Sequence, residues 1–383
     1  MELKRCYVIS HTHWDREWYM PLEQMRLRLV DLLDHALTLL ETEPTYIFHL
    51  DAQTIVLEDY LSICIDKRPM LERFIREGRL LVGPWYLQND FYLTDGEATV
   101  RNLLEGMRMA NAFGGCARTG YCADQFGLIS QLPQILRGFG IDNCVFGRGA
   151  ARVEPDAQGD LKRVAFPSEF IWRGADGSTV TAIHLSHWYN NAQRFSADID
   201  KAERMVRKVI DSFEGIAATP YLLLMNGVDH LEAQEDLLPI LRAVDTRLDD
   251  DAHIFQSTMD QYIGDIKAYI AENDFALYEH VGELRGGADD ELLKGTLSSR
   301  IYLKQRNVSM QERLVSVLEP LYAILERAGM DGVYSLDHFR YMWRELMKNH
   351  AHDSICGCSC DGVHAHMEDN YVRLEEMSTD MLN

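Results

Sequence analysis

Cys6-Tyr7-Val8-Ile9-Ser10-His11-Thr12-His13-Trp14-Asp15-Arg16-Glu17-Trp18 is an apolar run that opens into a cluster of chemically capable side chains. The same construction recurs along the chain. Asp51 follows Tyr46-Ile47-Phe48-His49-Leu50, Trp85 follows Leu80-Leu81-Val82, and Asp124 follows Gly120-Tyr121-Cys122-Ala123. Arg148 comes after Asn143-Cys144-Val145-Phe146 and Asp229 after Tyr221-Leu222-Leu223-Leu224-Met225. Functional side chains just past short strand-like runs predict an α/β barrel enzyme, because such barrels collect their active sites at the carboxyl ends of parallel strands. Helical periodicity over 22–40, 54–77, 97–111, 132–138, 199–213 and 231–241 fills the spaces between runs, which is the βαβ pattern. Residues 170–172 and 180–183, joined through Gly174-Ala175-Asp176-Gly177, read as an antiparallel hairpin leaving the barrel rim. After about Gly287 the character turns helical: 293–328 with a kink at Pro320, then 336–349 and 363–377. The expected division is a catalytic β/α barrel over 1–287 and a helical-bundle segment over 288–383.

The 383 residues are 46% hydrophobic and carry a formal charge of −22. That content fills a core, and the acidic balance argues against nucleic acid or an anionic membrane surface as a partner. No stretch is apolar for long enough to span a bilayer. The amino terminus enters its first strand-like run almost at once, without the layout of a secretory leader. Several of the eight cysteines (Cys6, Cys122, Cys144) lie inside apolar runs, where a reduced thiol packs as a small hydrophobe. A cytoplasmic location is the expectation.

His13 and Asp15, two apart after a strand, can turn toward one point above the barrel mouth. Asp124 and His352, the latter in Asn349-His350-Ala351-His352-Asp353-Ser354-Ile355-Cys356-Gly357, are the candidates to complete a two-imidazole, two-carboxylate set. That set suits zinc first, with manganese or cobalt as alternatives. Cys356, Cys358 and Cys360, near His364 and His366, alternate without a zinc-finger partner pair and read as packed thiols. Asp124 and Asp229 form a second pattern, since glycoside hydrolysis needs one carboxylate to attack and another to manage the proton. The bland alternative for Asp229 is an N-cap of a helix starting near Leu231. Trp14, Trp18, Trp85, Tyr86, Phe126, Trp188 and Tyr189 border these clusters, as rings that stack on sugar faces would.

Four separated motifs, His11-Thr12-His13-Trp14-Asp15-Arg16-Glu17-Trp18, Ala123-Asp124-Gln125-Phe126-Gly127, Asn226-Gly227-Val228-Asp229-His230 and His350-Ala351-His352-Asp353-Ser354-Ile355-Cys356-Gly357, resemble those of the glycoside hydrolase family 38 α-mannosidases, particularly the bacterial type. The resemblance implies a retaining α-mannosidase acting on α-mannosides. Its fold would be a seven-stranded β/α barrel followed by a helical bundle that lends His352. It implies one zinc on His13, Asp15, Asp124 and His352, with Asp124 doubling as nucleophile and Asp229 as general acid/base. Trp18 and Phe126 would line the mannose site, Arg148 would sit close to the nucleophile, and Asp353 would hydrogen-bond near the metal. Trp85 joins the expected substrate wall. The metal would grip the 2- and 3-hydroxyls of mannose.

Members of that family continue into large β-rich domains after the bundle, whereas this sequence stops at Asn383. The expectation includes an exposed apolar face able to support a homo-oligomer. Two alternatives differ in class. A metal-dependent carbohydrate deacetylase would use an open water position instead of Asp229, and a catalytically incomplete fragment would bind sugar without turnover. An anionic aglycone would need a local basic pocket, for which Arg148, Arg285 and Arg300 are candidates.

Overall fold

The computed structural model describes residues 3–286, 292–330 and 334–383. The expected domain boundary at 287/288 lies outside them. Twelve strands are present among the described residues: β1 (Lys4–Thr12), β2 (Phe48–Leu50), β3 (Leu80–Leu81), β4 (Tyr121–Cys122), β5 (Asn143–Phe146), β6 (Arg152–Pro155), β7 (Leu161–Val164), β8 (Glu169–Arg173), β9 (Thr179–His184), β10 (Tyr221–Asn226), β11 (Ala252–Gln256) and β12 (Glu279–Val281).

β1 is the central strand of one five-stranded sheet. It is parallel to β10 over Arg5–Ser10, to β11 over Lys4–Val8 and to β2 at His11 and Thr12, and β3 adds onto β2. The second sheet runs β12-β8-β9-β5-β4, parallel throughout except for the β8/β9 pair. Tyr7, Val8 and Ile9 are fully buried, as continuous apolar runs in parallel strands require.

The hydrogen-bond ladders therefore form two main open sheets and a separate two-stranded pair, and no closed seven-stranded barrel appears among the described residues. The reason lies at β3 and β4, each two residues long and too short to sustain a ladder between them. A side chain spans that place instead, where the Trp85 indole Nε1 donates to the Tyr121 carbonyl at 2.9 Å.

The hairpin reading of 170–183 needs correction. β8 and β9 do pair antiparallel, but β9 continues onto β5 and β8 onto β12, so both are built into the sheet. The true excursion is β6/β7, which pairs only with itself. Its exposed, charge-rich strands lack the apolar alternation that would have revealed it.

Helices follow the strands as the βαβ pattern expects, including Leu22–Thr42, Gly96–Phe113, Leu132–Gly138 and Ile199–Ser212. The periodic stretch 54–77 divides into Ile55–Leu61 and Arg68–Arg76, with Pro69 in the first turn of the second helix. In the helical segment, Ile301–Glu312 passes through a widened turn at Arg313–Leu318 into Glu319–Arg327, relieving the demand that Pro320 makes on the ladder. Leu336–Lys348 and Asp361–Asp380 complete it. No helix among the described residues is long and apolar enough to cross a membrane.

Ion pairs lock the helical segment to the sheet domain. Glu58 meets Arg344 at 2.5 Å and Lys348 at 3.1 Å and accepts from the Tyr86 hydroxyl at 2.8 Å. Glu105 likewise meets Arg340 at 3.1 Å and Arg344 at 3.3 Å. The chain immediately after Lys348 is thereby delivered to the mouth of the first sheet.

Candidate active site

β1 and β10 extend past their ladders as a pair, for His13 and Asp229 form a parallel bridge and the His230 N–H donates to the His13 carbonyl at 2.9 Å. Gly227 makes this approach possible. A β-carbon there would stand 2.0 Å from the His11 carbonyl oxygen. Left-handed backbone at the non-glycine residues Asp51, Trp188 and His230 surrounds the same mouth, in keeping with strain collecting at functional sites.

The motif around His352 is stitched directly to the motif around His13. The Ser354 hydroxyl donates to Glu17 at 3.0 Å, the Cys360 N–H donates to the Trp18 carbonyl at 2.8 Å, and Asn89 bridges Ala351. His13 Nε2 then lies 3.1 Å from Asp15 Oδ1, and His352 Nε2 lies 3.3 Å from the same oxygen. His352 Nε2 is also 3.6 Å from Asp124 Oδ2. His13 Nε2, Asp15 Oδ1 and His352 Nε2 are buried, and none makes a directed hydrogen bond. Three converging buried ligand atoms without hydrogen-bond partners fit a cation, and the donor set suits zinc.

The partners behind these side chains also fit. His13 Nδ1 lies 2.9 Å from Asp51, whose carboxylate accepts from the Trp14 N–H and the Gln53 amide. His352 Nδ1 faces the Gln88 carbonyl at 3.2 Å, and Gln88 is pinned by Gln53 and by the Asp51 carbonyl. With Nδ1 of each ring turned to these supports, Nε2 is the atom that faces the converging site. Asp51 stood at a strand end in the sequence, but its role as the support for His13 was not legible. Gln88 carried no signal, being one amide among many, and Tyr189 was legible only as a ring beside the clusters, not as the hydrogen-bond donor to Asp229.

The electrostatics express the same demand for positive charge. Burial opposes protonation of His13, yet Asp51 and Asp15 hold its pKa well above the usual imidazole value. His352 is raised likewise, against burial, by Asp353, Asp124 and Asp15. Burial would raise Asp15, but its imidazole neighbours hold it well below the ordinary carboxylate value. Asp124 is lowered against burial by His352 and Arg148. Asp353, buried and facing Asp15 and Asp124, is pushed up to about 7 and accepts from the Cys358 thiol at 3.1 Å.

Asp124 divides its oxygens between two sides. Oδ2 faces His352, and Oδ1 accepts from Arg148 Nε at 2.8 Å. Gly147 permits the latter, since a β-carbon there would meet the Ala123 carbonyl at 2.2 Å. The Arg148 guanidinium also lies over the Phe126 ring at 5.2 Å and the Trp188 ring at 4.8 Å. Phe126 packs edge-on to His352, with ring centroids 5.8 Å apart. Half-buried Asp229 accepts from the Tyr189 hydroxyl at 3.0 Å, and the nearest downstream helix begins only at Leu237, so Asp229 is not its cap. Trp18 is half-buried, its ring against Tyr19.

Trp85 does not join this wall. It is fully buried, packs on Phe91 and has its N–H satisfied, so it has no face for a ligand. Arg285 lies over Tyr92, and Arg300 is held by the Gly357 carbonyl and Asp361, which leaves Arg148 as the sequence-selected arginine at Asp124. All eight cysteines are free thiols. Burial, reinforced by acidic neighbours, pushes Cys356 and Cys358 up, which keeps them protonated.

Comparison with known proteins agrees with this architecture. The glycosyl hydrolases family 38 N-terminal domain matches residues 4–281, and the alpha mannosidase middle domain matches residues 291–383. The chain belongs to glycoside hydrolase family 38. It is 40% identical over 381 residues to a protein of Halalkalibacterium halodurans provisionally named as a mannosylglycerate hydrolase, covering 98% of this chain and 42% of that protein. It is 24% identical over 377 residues to Alpha-mannosidase 2C1 of Mus musculus, covering 95% of this chain and 33% of the relative. The crystal structure of an alpha-mannosidase from Enterococcus faecalis V583 superposes with a TM-score of 0.90 at 33% identity, covering 99% of this chain and 42% of that one. The chain thus spans less than half the length of these relatives.

Proposed function

We propose that the chain carries the catalytic part of a retaining α-mannosidase, with a β/α catalytic unit over 1–287 and a helical segment over 288–383 that contributes His352. The observation that carries the reading is the convergence of His13 Nε2, Asp15 Oδ1 and His352 Nε2, none with a hydrogen-bond partner, beside Asp124, with Asp229 paired to His13 on the neighbouring strand end. His13, Asp15, Asp124 and His352 would hold one zinc ion. When bound, the ion supplies a Lewis-acid grip on vicinal sugar hydroxyls.

The remaining steps belong to the chain. Asp124 attacks the anomeric carbon as Asp229 protonates the departing oxygen, giving a mannosyl ester on Asp124. Asp229 then takes a proton from the water that hydrolyses the ester. Arg148 holds the oxygen of Asp124 that does not face His352, and the Tyr189 hydroxyl orients Asp229. Phe126, Trp18 and Asp353 would border the sugar. Eight free thiols suit a reducing cytoplasmic setting.

A deacetylase would have no use for a second carboxylate held at the mouth, which disfavours it. A sugar-binding piece without turnover is the second reading. The test is hydrolysis of an aryl α-mannoside by the purified chain, before and after chelation and zinc restoration, with NMR of the first-formed anomer. Chelator-sensitive release of the α-anomer supports the proposal. Tight zinc binding without turnover points to the incomplete piece.

A further inference from the structure

A cavity of about 30 Å³ lies in the gap between β3 and β4, with Leu81 and Gly83 on one side and Thr119 and Tyr121 on the other. It reaches Asp51, the carboxylate behind His13, and has room for one or two water molecules.

The hydrogen bonds of its polar side chains single out three atoms. Thr119 donates to Asp260 at 2.6 Å, and Asp260 also accepts from the Arg118 N–H at 3.3 Å. His49 Nδ1 faces the Ser10 carbonyl at 3.2 Å, and its Nε2 accepts from the Met259 N–H at 3.4 Å. In contrast, the Tyr121 hydroxyl, His11 Nδ1 and Asp51 Oδ1 are buried without a hydrogen-bond partner among the described residues. All three belong to residues that line this one cavity. Buried polar groups are almost always paired, with protein or with ordered water.

The three atoms are complementary to a single water molecule. His11 Nε2 lies 2.8 Å from the Tyr189 carbonyl and so carries the hydrogen of the neutral ring, which leaves Nδ1 an acceptor. Asp51 turns Oδ2 to His13 Nδ1, the Trp14 N–H and the Gln53 amide, so Oδ1 is an acceptor too. The Tyr121 hydroxyl has a proton to donate. Two acceptors and one donor match the two protons and a lone pair of water. After burial, Asp51 is the strongest influence on the protonation of both His11 and Tyr121, as neighbours around one small space require. Tyr121 is itself held in place, since its carbonyl accepts from Trp85 and its strand pairs with β5.

We propose that one buried water donates to His11 Nδ1 and Asp51 Oδ1 and accepts from the Tyr121 hydroxyl, and that Tyr121 is thereby a positioning residue for His13. The water fixes the second oxygen of Asp51, and with it the rotation of the carboxylate that presents Oδ2 to the imidazole. The effect on metal affinity rests on the zinc reading above.

The test joins crystallography of the purified chain, at a resolution that shows ordered water, to zinc competition with a chelating dye. Electron density for a water within hydrogen-bond distance of all three atoms is expected, and its loss in Tyr121→Phe. The zinc Kd should rise by about three- to tenfold in Tyr121→Phe, the value of one hydrogen bond, with a melting temperature confirming that the variant folds. In an Asp51→Ala background the same substitution should change Kd no further, because its path to His13 is gone. A wild-type cavity without that water overturns the proposal. So does wild-type zinc affinity in Tyr121→Phe, or an equal loss with and without Asp51. If Asp51→Ala does not fold, the crystal structures and the Tyr121→Phe affinity decide. If the wild type binds no zinc, the zinc reading fails separately, and the crystal structure of Tyr121→Phe decides the positioning. A His13 ring turned away from Asp51 then keeps Tyr121 in its role, and an unmoved ring overturns it.

Discussion

His13 and Asp229 are bridge partners on adjacent strand ends although 216 positions separate them in the chain. A proposed metal ligand and a proposed proton donor therefore share one piece of backbone geometry. Displacing either strand end moves both functions together.

Zinc binding should depend on His352 and, less steeply, on Asp51. His352→Ala removes a ligand, and zinc content after dialysis should fall from one equivalent toward none. Asp51→Asn leaves the ligands in place but weakens the support behind His13, so zinc affinity should drop by about 10–100-fold. Equal affinity of wild type and Asp51→Asn by competition with a chelating dye would remove Asp51 from this role.

Asp124→Ala and Asp229→Ala should separate by leaving group. With a poor alkyl leaving group both should lose on the order of 10³-fold or more in kcat, while with an activated aryl group Asp229→Ala should retain more of the first step because less proton transfer is needed. Full turnover of either substrate by Asp124→Ala would sink the mechanism.

Trp85 and Phe126 should behave as different kinds of aromatic. Trp85→Phe breaks the bond to the Tyr121 carbonyl in the core and should cost about 1–3 kcal/mol of stability, read from chemical denaturation, with KM for an aryl mannoside little changed. Phe126→Leu, which keeps apolar bulk in the core but removes the ring beside His352 and Arg148, should raise KM with little change in stability. The reverse pattern would return Trp85 to the substrate wall.

Acid should loosen the joint between the helical segment and the sheets. Burial alone would raise the Glu58 pKa, but Lys348 and Arg344 bring it down to about 2, below its ordinary value of 4.5. A depressed folded pKa contributes stability that is full above about pH 4.5 and is lost as pH falls through about 2. Glu58→Gln should therefore cost about 3 kcal/mol at pH 7, with the difference from wild type shrinking between pH 4.5 and 2. A pH-independent difference in unfolding free energy would show that packing, not charge, carries the effect.

Local chemistry was readable from the chain because it is written in adjacent residues. Apolar runs mark β1, β5 and β10, helical periodicity marks 22–40 and 199–213, and the motifs around His13, Asp124, Asp229 and His352 mark the candidate site. Side chains whose importance comes from a distant contact were not readable. Asp51 matters because it reaches His13, Tyr189 because it reaches Asp229, and Trp85 withdraws from the site because its indole finds Tyr121 in the gap between β3 and β4. Whether the strands close into a ring also depends on pairing between short segments remote in sequence, which no local pattern encodes. The sequence by itself determined which residues are candidates for the chemistry. Only the tertiary structure decided which share a wall, because hydrogen bonding and burial act across space and are indifferent to position along the chain.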